Sequence, residues 1–125
     1  MLTPSELRSR ITDYVNAVNS REPRAIASLF AEDAVQADPA SNPPNVGREA
    51  IATFFGNGIA ASGSWRFEAK TVHTCADHVA IDFAITVETG GTTMTIDGIE
   101  VFVTDDSGLF ASVHAYWDDA DLTVG

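Results

Sequence analysis

Residues 78–104, HVAIDFAITVETGGTTMTIDGIEVFVT, decide the fold class of this chain. From His78 to Thr89 the apolar side chains recur at every second position, with polar or small residues between them. A period of two predicts a β-strand with one buried face. Gly90-Gly91 then predicts a tight hairpin turn, and Thr92 to Thr104 returns as the second strand.

The flanking sequence extends this hairpin into a larger sheet. Upstream, Trp65 to Thr74 is predicted to be a strand. Downstream, Asp105-Asp106-Ser107-Gly108 predicts a turn, and Leu109 to Trp117 is the last strand of the series. The second half of the chain is therefore predicted to be an antiparallel meander.

The first half of the chain has a helical pattern. Thr3-Pro4-Ser5-Glu6 has the form of a capping box with proline at the first helical position, which is a start signal for a helix. Five apolar residues then recur at helical period and share one face. They are Leu7, Ile11, Tyr14, Val15 and Val18. Because Tyr14 lies within this face, its ring is predicted to point inward.

Two more helices and a short strand complete the expected order of elements. A second helix is expected over Pro23 to Ala31, followed by a strand over Ala34 to Ala37 and a loop over Pro39 to Asn45. A third helix is expected from Arg48 to Asn57. Its buried residues are expected to be Ile51, Phe54 and Phe55.

This order predicts an α+β fold, in which three N-terminal helices pack on one face of a curved antiparallel sheet. Residues 1–125 are expected to form a single domain. The space between helices and a curved sheet is a natural apolar ligand pocket.

The charge balance limits the possible partners. The net charge is −11, from 18 acidic and 7 basic side chains. Such a charge repels nucleic acid and anionic membrane surfaces. All basic residues lie between Arg8 and Lys70, so the second half of the chain has no cation to hold a phosphate group. We therefore expect no nucleic acid, membrane or phosphorylated substrate as a partner.

Other features favour a cytoplasmic protein without a metal. Cys75 is the single cysteine, so no internal disulfide is possible. The first ten residues lack the apolar core of a signal peptide, and no segment has the apolar length of a membrane span. The three histidines lack the spacing of metal ligands, so we expect neither a metal nor a cofactor. They are His73, His78 and His114.

Two polar residues at the expected pocket each have a structural alternative. Tyr14 faces inward on the first helix, but a core tyrosine whose hydroxyl reaches water would give the same pattern. Asp38 ends the short apolar strand at the mouth of the helical layer. An aspartate before proline is also a common turn former.

Glu100 is harder to explain as a surface residue. It lies in the middle of a central strand, where the alternation places it on the same face as Gly98 and Phe102. If buried it is expected to be neutral, because desolvation raises the pKa of a carboxyl group. The competing register would turn Asp97 inward instead, and parity with Phe102 favours Glu100.

Five segments together carry a resemblance to a known family. They are Tyr14-Val15-Asn16-Ala17-Val18-Asn19, Leu29-Phe30-Ala31-Glu32-Asp33-Ala34, Asp38-Pro39, Gly47-Arg48-Glu49-Ala50-Ile51 and Ile99-Glu100-Val101-Phe102. Over essentially its whole length the chain resembles the Δ5-3-ketosteroid isomerases of the nuclear transport factor 2-like superfamily. The resemblance implies a cone-shaped, curved antiparallel sheet closed by three helices, usually in a homodimer. It also implies an isomerase that acts on a small hydrophobic, steroid-like ketone.

The resemblance further implies a catalytic role for each of the three polar residues. Asp38 would be the base that moves the proton, and Tyr14 and protonated Glu100 would form the oxyanion hole. Two positions depart from the family pattern. Glu100 stands where the family carries aspartic acid, and Phe55 stands where relatives carry a tyrosine that supports the catalytic one.

Nine apolar side chains are expected to contact the substrate, although each also suits a plain core position. They are Phe30, Phe54, Phe55, Phe83, Ile85, Val87, Phe102, Val113 and Trp117. The alternatives are a polyketide cyclase or other enzyme of the same fold, and a non-catalytic module that binds a hydrophobic ligand. Epoxide hydrolases of the fold pair carboxylates with a pocket arginine, and no arginine follows Arg66. Pocket carboxyls favour an enzyme over a binding module, because they are costly to bury.

Overall fold

The computed structural model describes residues 1–125. The chain forms three α-helices that pack on a seven-stranded sheet. The helices are α1 (Pro4–Ser20), α2 (Pro23–Ala27) and α3 (Arg48–Ala61). The strands are β1 (Phe30–Ala37), β2 (Asn45–Val46), β3 (Ser64–Cys75), β4 (His78–Thr89), β5 (Thr92–Thr104), β6 (Phe110–Tyr116) and β7 (Leu122–Val124). A short 3-10 helix, Asp119–Asp121, precedes β7. The predicted α+β class is confirmed.

The sheet is mixed, whereas the sequence predicted a purely antiparallel one. Its order is β2-β1-β6-β5-β4-β3, and β7 pairs with the free half of β5. The meander from β3 to β6 is antiparallel as predicted, but β1 joins β6 in parallel. This pairing brings the end of β1, and with it Asp38, to the end of β6, which precedes Trp117.

The bounds of β4 and β5 agree with the prediction, and those of β3 and β6 differ from it by one residue at each end. The segment around Phe30 differs more. The second helix ends at Ala27, and β1 starts at Phe30, where a helix had been expected to continue to Ala31. Pairing with Phe110 and the hydrogen bonds from Arg48 to the Phe30 carbonyl hold this segment extended. Long-range pairing thus overrides the local helical pattern.

Helix α3 is one turn longer than predicted, because it continues past Asn57 to Ala61. The Arg21 guanidinium donates to the Ile59 and Ser62 carbonyls, both at 3.1 Å. These bonds satisfy carbonyl groups that the end of a helix leaves without partners.

No helix in the structure is both long and apolar enough to cross a membrane.

The core lies between α1 and the concave face of the sheet, and aromatic rings make up its centre. The Tyr14 ring packs edge-on against four phenylalanine rings at centroid distances of 5.0–6.3 Å. These rings belong to Phe30, Phe67, Phe102 and Phe110. Edge-to-face packing of this kind stabilises a ring beyond its burial alone, so the position of Tyr14 is strongly constrained.

Candidate active site

A cavity of about 540 Å³ opens between α3 and the concave face of β3, β4 and β5. Its volume lies in the usual range for small-molecule sites. The residues that line it are Tyr14, Val18, Asp38, Phe54, Phe55, Asn57, Gly58, Ala61, Ser62, Trp65, Phe67, Phe83, Ile85, Val87, Thr89, Met94, Ile96, Glu100 and Trp117. No lysine, arginine or histidine is among them, so the cavity has no cation for an anionic ligand.

Tyr14 and Glu100 meet at the closed end of this cavity. Each residue is only 2% exposed, and the Tyr14 hydroxyl donates a hydrogen bond to Glu100 Oε2 at 3.4 Å. The capping box at Thr3 and Glu6 fixes the start of α1 and therefore the face on which Tyr14 lies. The predicted register of β5 is confirmed, because Glu100 faces inward while Asp97, on the other face, pairs with Lys70 Nζ at 2.7 Å.

The environment of Glu100 favours its neutral form. Burial, and to a smaller extent the nearby charge of Asp38, raises the pKa of Glu100 well above its ordinary value. Glu100 Oε1 is buried and has no hydrogen-bond partner. Because buried polar atoms are normally paired, this oxygen is an open hydrogen-bonding position beside the cavity.

Tyr14 is held neutral by the same surroundings. Burial is the main cause that raises the pKa of Tyr14 well above its ordinary value, and the neighbouring carboxyl groups of Glu100 and Asp38 add to this rise. Phe55 lies on the cavity wall, at the position where the resemblance implied a supporting tyrosine. Since phenylalanine has no hydroxyl, Glu100 is the only side chain that hydrogen-bonds the Tyr14 hydroxyl.

Asp38 lies directly after β1 and faces the same cavity. The Trp117 indole N–H donates to Asp38 Oδ1 at 2.7 Å, while Oδ2 has no hydrogen bond. Burial raises the pKa of Asp38, and the bond from Trp117 opposes this rise. No local sequence pattern predicts this contact, because 79 residues separate the two side chains.

Gly98 allows the aromatic wall to approach the strand next to Glu100. A Cβ atom at Gly98 would lie 2.7 Å from the Tyr116 carbonyl oxygen and 2.9 Å from the Phe83 ring. A side chain at this position would therefore displace Phe83, which packs across from it on β4.

Six of the nine expected wall residues line the cavity. They are Phe54, Phe55, Phe83, Ile85, Val87 and Trp117. The prediction that Phe30, Phe102 and Val113 line the cavity was wrong. These residues lie in the core at 0–1% exposure. The rings of Tyr14 and Phe110 pack against both phenylalanines. The prediction missed Val18, Trp65, Phe67, Met94 and Ile96. The alternation that identified Glu100 also marks Ile96 and Met94, which share its parity on β5.

The buried carboxyl of Glu100 predicts a pH-dependent stability. Because its pKa is raised on folding, the folded chain binds an additional proton, so its contribution to stability is complete below pH ~4.3 and is lost as pH rises through the raised pKa. We expect Glu100→Gln to flatten this fall in the free energy of unfolding, as measured by urea titration from pH 5 to 9. Asp97→Asn is the matched control, because it removes a carboxylate on the opposite face of the same strand. An equally flat profile of the free energy of unfolding in that variant would contradict the assignment.

The α+β fold and the apolar cavity with carboxyl groups define a class of small domains that enclose a hydrophobic ligand. Within that class, the chain belongs to the SnoaL-like domain family, whose model matches residues 11–113. It is similar to the Steroid Delta-isomerase of Nocardioides simplex, with 32% identity over 120 residues and 96% of each chain covered. The resemblance seen in the sequence is therefore confirmed at the level of the family.

Two solved structures share the fold. One is the epoxide hydrolase/cyclase-like enzyme SalBIII, which acts in pyran ring formation in polyether salinomycin (TM-score 0.91, 23% identity, 100% of both chains). The other is a computationally designed 17-OHP binder (TM-score 0.87, 20% identity, 96% of this chain and 98% of that chain). Since an enzyme and a designed binder share this architecture, the function must be argued from the site.

Proposed function

We propose that this protein is a steroid Δ5-isomerase, which moves the β,γ double bond of a 3-ketosteroid into conjugation with the ketone. The observation that carries the proposal is the pairing of two buried acidic groups, Tyr14 and Glu100, at the closed end of an apolar cavity that also contains Asp38. The similarity to a steroid isomerase over nearly the whole chain supports the same reaction.

In this proposal Asp38 is the base. Its carboxylate removes a proton from the carbon between the ketone and the double bond, and the electron pair of that C–H bond delocalises into a dienolate. The same carboxyl returns the proton to the γ carbon, so the double bond moves to the α,β position and no other reagent is consumed. A positioned general base of this kind typically contributes ~10²–10⁴ in rate.

Trp117 acts as the positioning residue for this base. Its indole N–H holds Oδ1 at 2.7 Å, which leaves Oδ2 for the substrate proton. The bond also stabilises the charged form of Asp38, and so it opposes the rise in pKa that burial causes. The carboxyl group thereby remains available as a base.

Neutral Glu100 would stabilise the dienolate oxygen, together with Tyr14 once its hydroxyl turns from Glu100 Oε2 to the ligand. Both side chains are buried, and in a desolvated site a hydrogen bond to a developing negative charge is strong. Glu100 has a buried oxygen without a partner, and its raised pKa favours the protonated form that can donate. An ionised Glu100 would instead repel the dienolate.

A polyketide cyclase of this family would also need a base in the cavity, and a binding module would need only the apolar walls. The alternatives differ in what they predict for the closed end. Only an oxyanion hole requires that the two donors recognise a partly negative oxygen more strongly than an apolar group.

We therefore expect a phenolic ligand of steroid size to bind more tightly than the same ligand without its hydroxyl group, by about tenfold or more, because hydrogen bonds to charged oxygens are strong. Tyr14→Phe should narrow this difference. The measurement is the dissociation constant of both ligands by calorimetry, with the exposed Tyr116→Phe as the matched control. Equal affinities for the two ligands in the unmodified protein would indicate an apolar binding pocket without an oxyanion hole.

A further inference from the structure

The outer half of the cavity has an apolar wall of its own, away from the three acidic groups. We define the outer compartment by Val18, Gly58, Ala61, Trp65, Val87 and Met94, which all line the cavity. Cross-strand pairing joins Trp65 to Val87 and Val87 to Met94, so these three side chains form one layer across the sheet.

This layer lies far from the closed end along the strands. Glu100 and Met94 are six residues apart on β5, which corresponds to ~20 Å along the strand. Gly98 and Ile96 occupy the inward positions between them, and Phe83 and Ile85 are their counterparts on β4. The path is therefore apolar throughout, and it is longer than a fused four-ring skeleton whose ketone lies at Tyr14 and Glu100.

The wall of the outer compartment is fixed in place from outside. The Trp65 indole N–H donates to the Val18 carbonyl at 2.7 Å, and the Arg21 guanidinium lies 4.9 Å from the indole centroid. Arg21 also bonds the last carbonyls of α3 at Ile59 and Ser62. These contacts connect α1, α3 and β3 around Trp65. The indole is therefore held in a defined position in the cavity wall.

The chemistry of the lining restricts what fills this space. No cationic side chain lines the cavity, and the protein carries a net charge of −11, so an anionic group would be unfavourable there. The exposed lining residues are Asn57, Ala61 and Thr89, which place the opening to solvent at the outer end.

From these observations we infer that the outer compartment is a subsite for an uncharged alkyl substituent on the ligand, at the end opposite its ketone. The inference rests on the proposed function, which orients the ketone towards Tyr14 and Glu100. It extends that function by assigning the substrate class: a ketosteroid that carries an aliphatic side chain, in preference to the bare ring system.

The test uses a phenolic steroid without a substituent on its last ring, together with its ethyl and butyl homologues on that ring. We expect the dissociation constant, measured by calorimetry, to fall by about fourfold for each methylene group that becomes buried. Met94→Gln, which keeps the length of the side chain but makes its end polar, should remove most of this gain and weaken the unsubstituted ligand by a clearly smaller factor than the butyl homologue. Thr93→Gln, next to it and outside the cavity, should preserve the gain.

A pair of glycine variants tests the same space without adding a polar group. In Gly58→Ala the new methyl group would lie 3.4 Å from the Trp65 ring, inside the compartment, whereas in Gly56→Ala it would lie 3.6 Å from Pro23, outside the cavity. We expect only Gly58→Ala to weaken binding of the butyl homologue.

The outcomes distinguish this inference from the proposed function. If the phenol binds but affinity does not change along the homologues, or if Met94→Gln weakens all ligands equally, the subsite is wrong and the oxyanion hole stands. If none of the ligands binds and no ketosteroid is isomerised, both are wrong.

Discussion

Asp38→Asn is expected to lower the turnover of a β,γ-unsaturated 3-ketosteroid by ~10²–10⁴, the usual contribution of a general base. The amide keeps an oxygen that can accept the Trp117 bond, so the geometry of the site should be preserved. What is lost is the ability to take up the substrate proton. The dissociation constant of a phenolic ligand and the free energy of unfolding should therefore change little.

The control for this experiment is Asp33→Asn, which neutralises an exposed carboxylate on β1, the strand that precedes Asp38. It should leave turnover unchanged. Normal turnover in Asp38→Asn would remove this residue from the mechanism. A large loss of stability in that variant would favour the alternative in which Asp38 is a turn-forming residue before Pro39.

The pH profile gives a second signature of the same base. Because burial raises the pKa of Asp38, the acid limb of kcat/KM should lie above the ordinary pKa of an aspartic acid. Activity should fall as the pH decreases through this pKa, since protonation removes the base. Removing the Trp117 donor in Trp117→Phe should move the limb to still higher pH, which separates a positioning role from a merely structural one.

Glu100→Ala is expected to lower turnover by ~10²–10³, which is the usual effect of removing one oxyanion-hole donor. Glu100→Gln should cost noticeably less, because the amide keeps a donor and carries no charge. Asp97→Asn is the matched control, since that side chain lies on the opposite face of β5 and pairs with Lys70. If Asp97→Asn were damaging and Glu100→Ala silent, the oxyanion assignment would be wrong.

The additional methylene of Glu100 has its own test. Glu100→Asp introduces the residue that the resemblance implies at this position. A faster variant would indicate that the longer side chain holds its donor poorly, and a slower one that the site has adapted to it. The 3.4 Å separation between the Tyr14 hydroxyl and Glu100 Oε2 is long for an O–H···O bond, so we expect the aspartate variant to be slower, because its shorter arm would increase this separation.

The sequence was most informative where local pattern and tertiary structure agree. The period-two alternation predicted both the bounds of β4 and β5 and the inward direction of Glu100, because a strand with one buried face must keep its register. The capping box predicted the start of α1, and helical period then placed Tyr14 in the core.

Long-range pairing was beyond the reach of the sequence pattern. The extended segment from Phe30 depends on a parallel partner 80 residues away in β6, and nothing local in Leu29-Phe30-Ala31 indicates it. The same limit explains the missed bond between Trp117 and Asp38. It also explains why Phe102 was assigned to the cavity wall, since alternation gives the face of a strand but not which other side chains cover it.

Some expectations stay predictions. The single domain, the cytoplasmic location and the homodimer implied by the resemblance belong here. Ile99 and Tyr116 form an exposed cross-strand pair on the outer face of the sheet, at 44% and 53% exposure.

Conversion of a β,γ-unsaturated 3-ketosteroid to its conjugated isomer tests the central claim most directly. The conjugated enone absorbs ultraviolet light that the starting ketone does not, so the reaction can be followed with purified protein and no added cofactor. The account predicts a rise in absorbance that saturates with substrate and is competitively inhibited by the phenolic ligand. No conversion above the rate of Asp38→Asn, with the phenolic ligand still bound in the cavity, would contradict it.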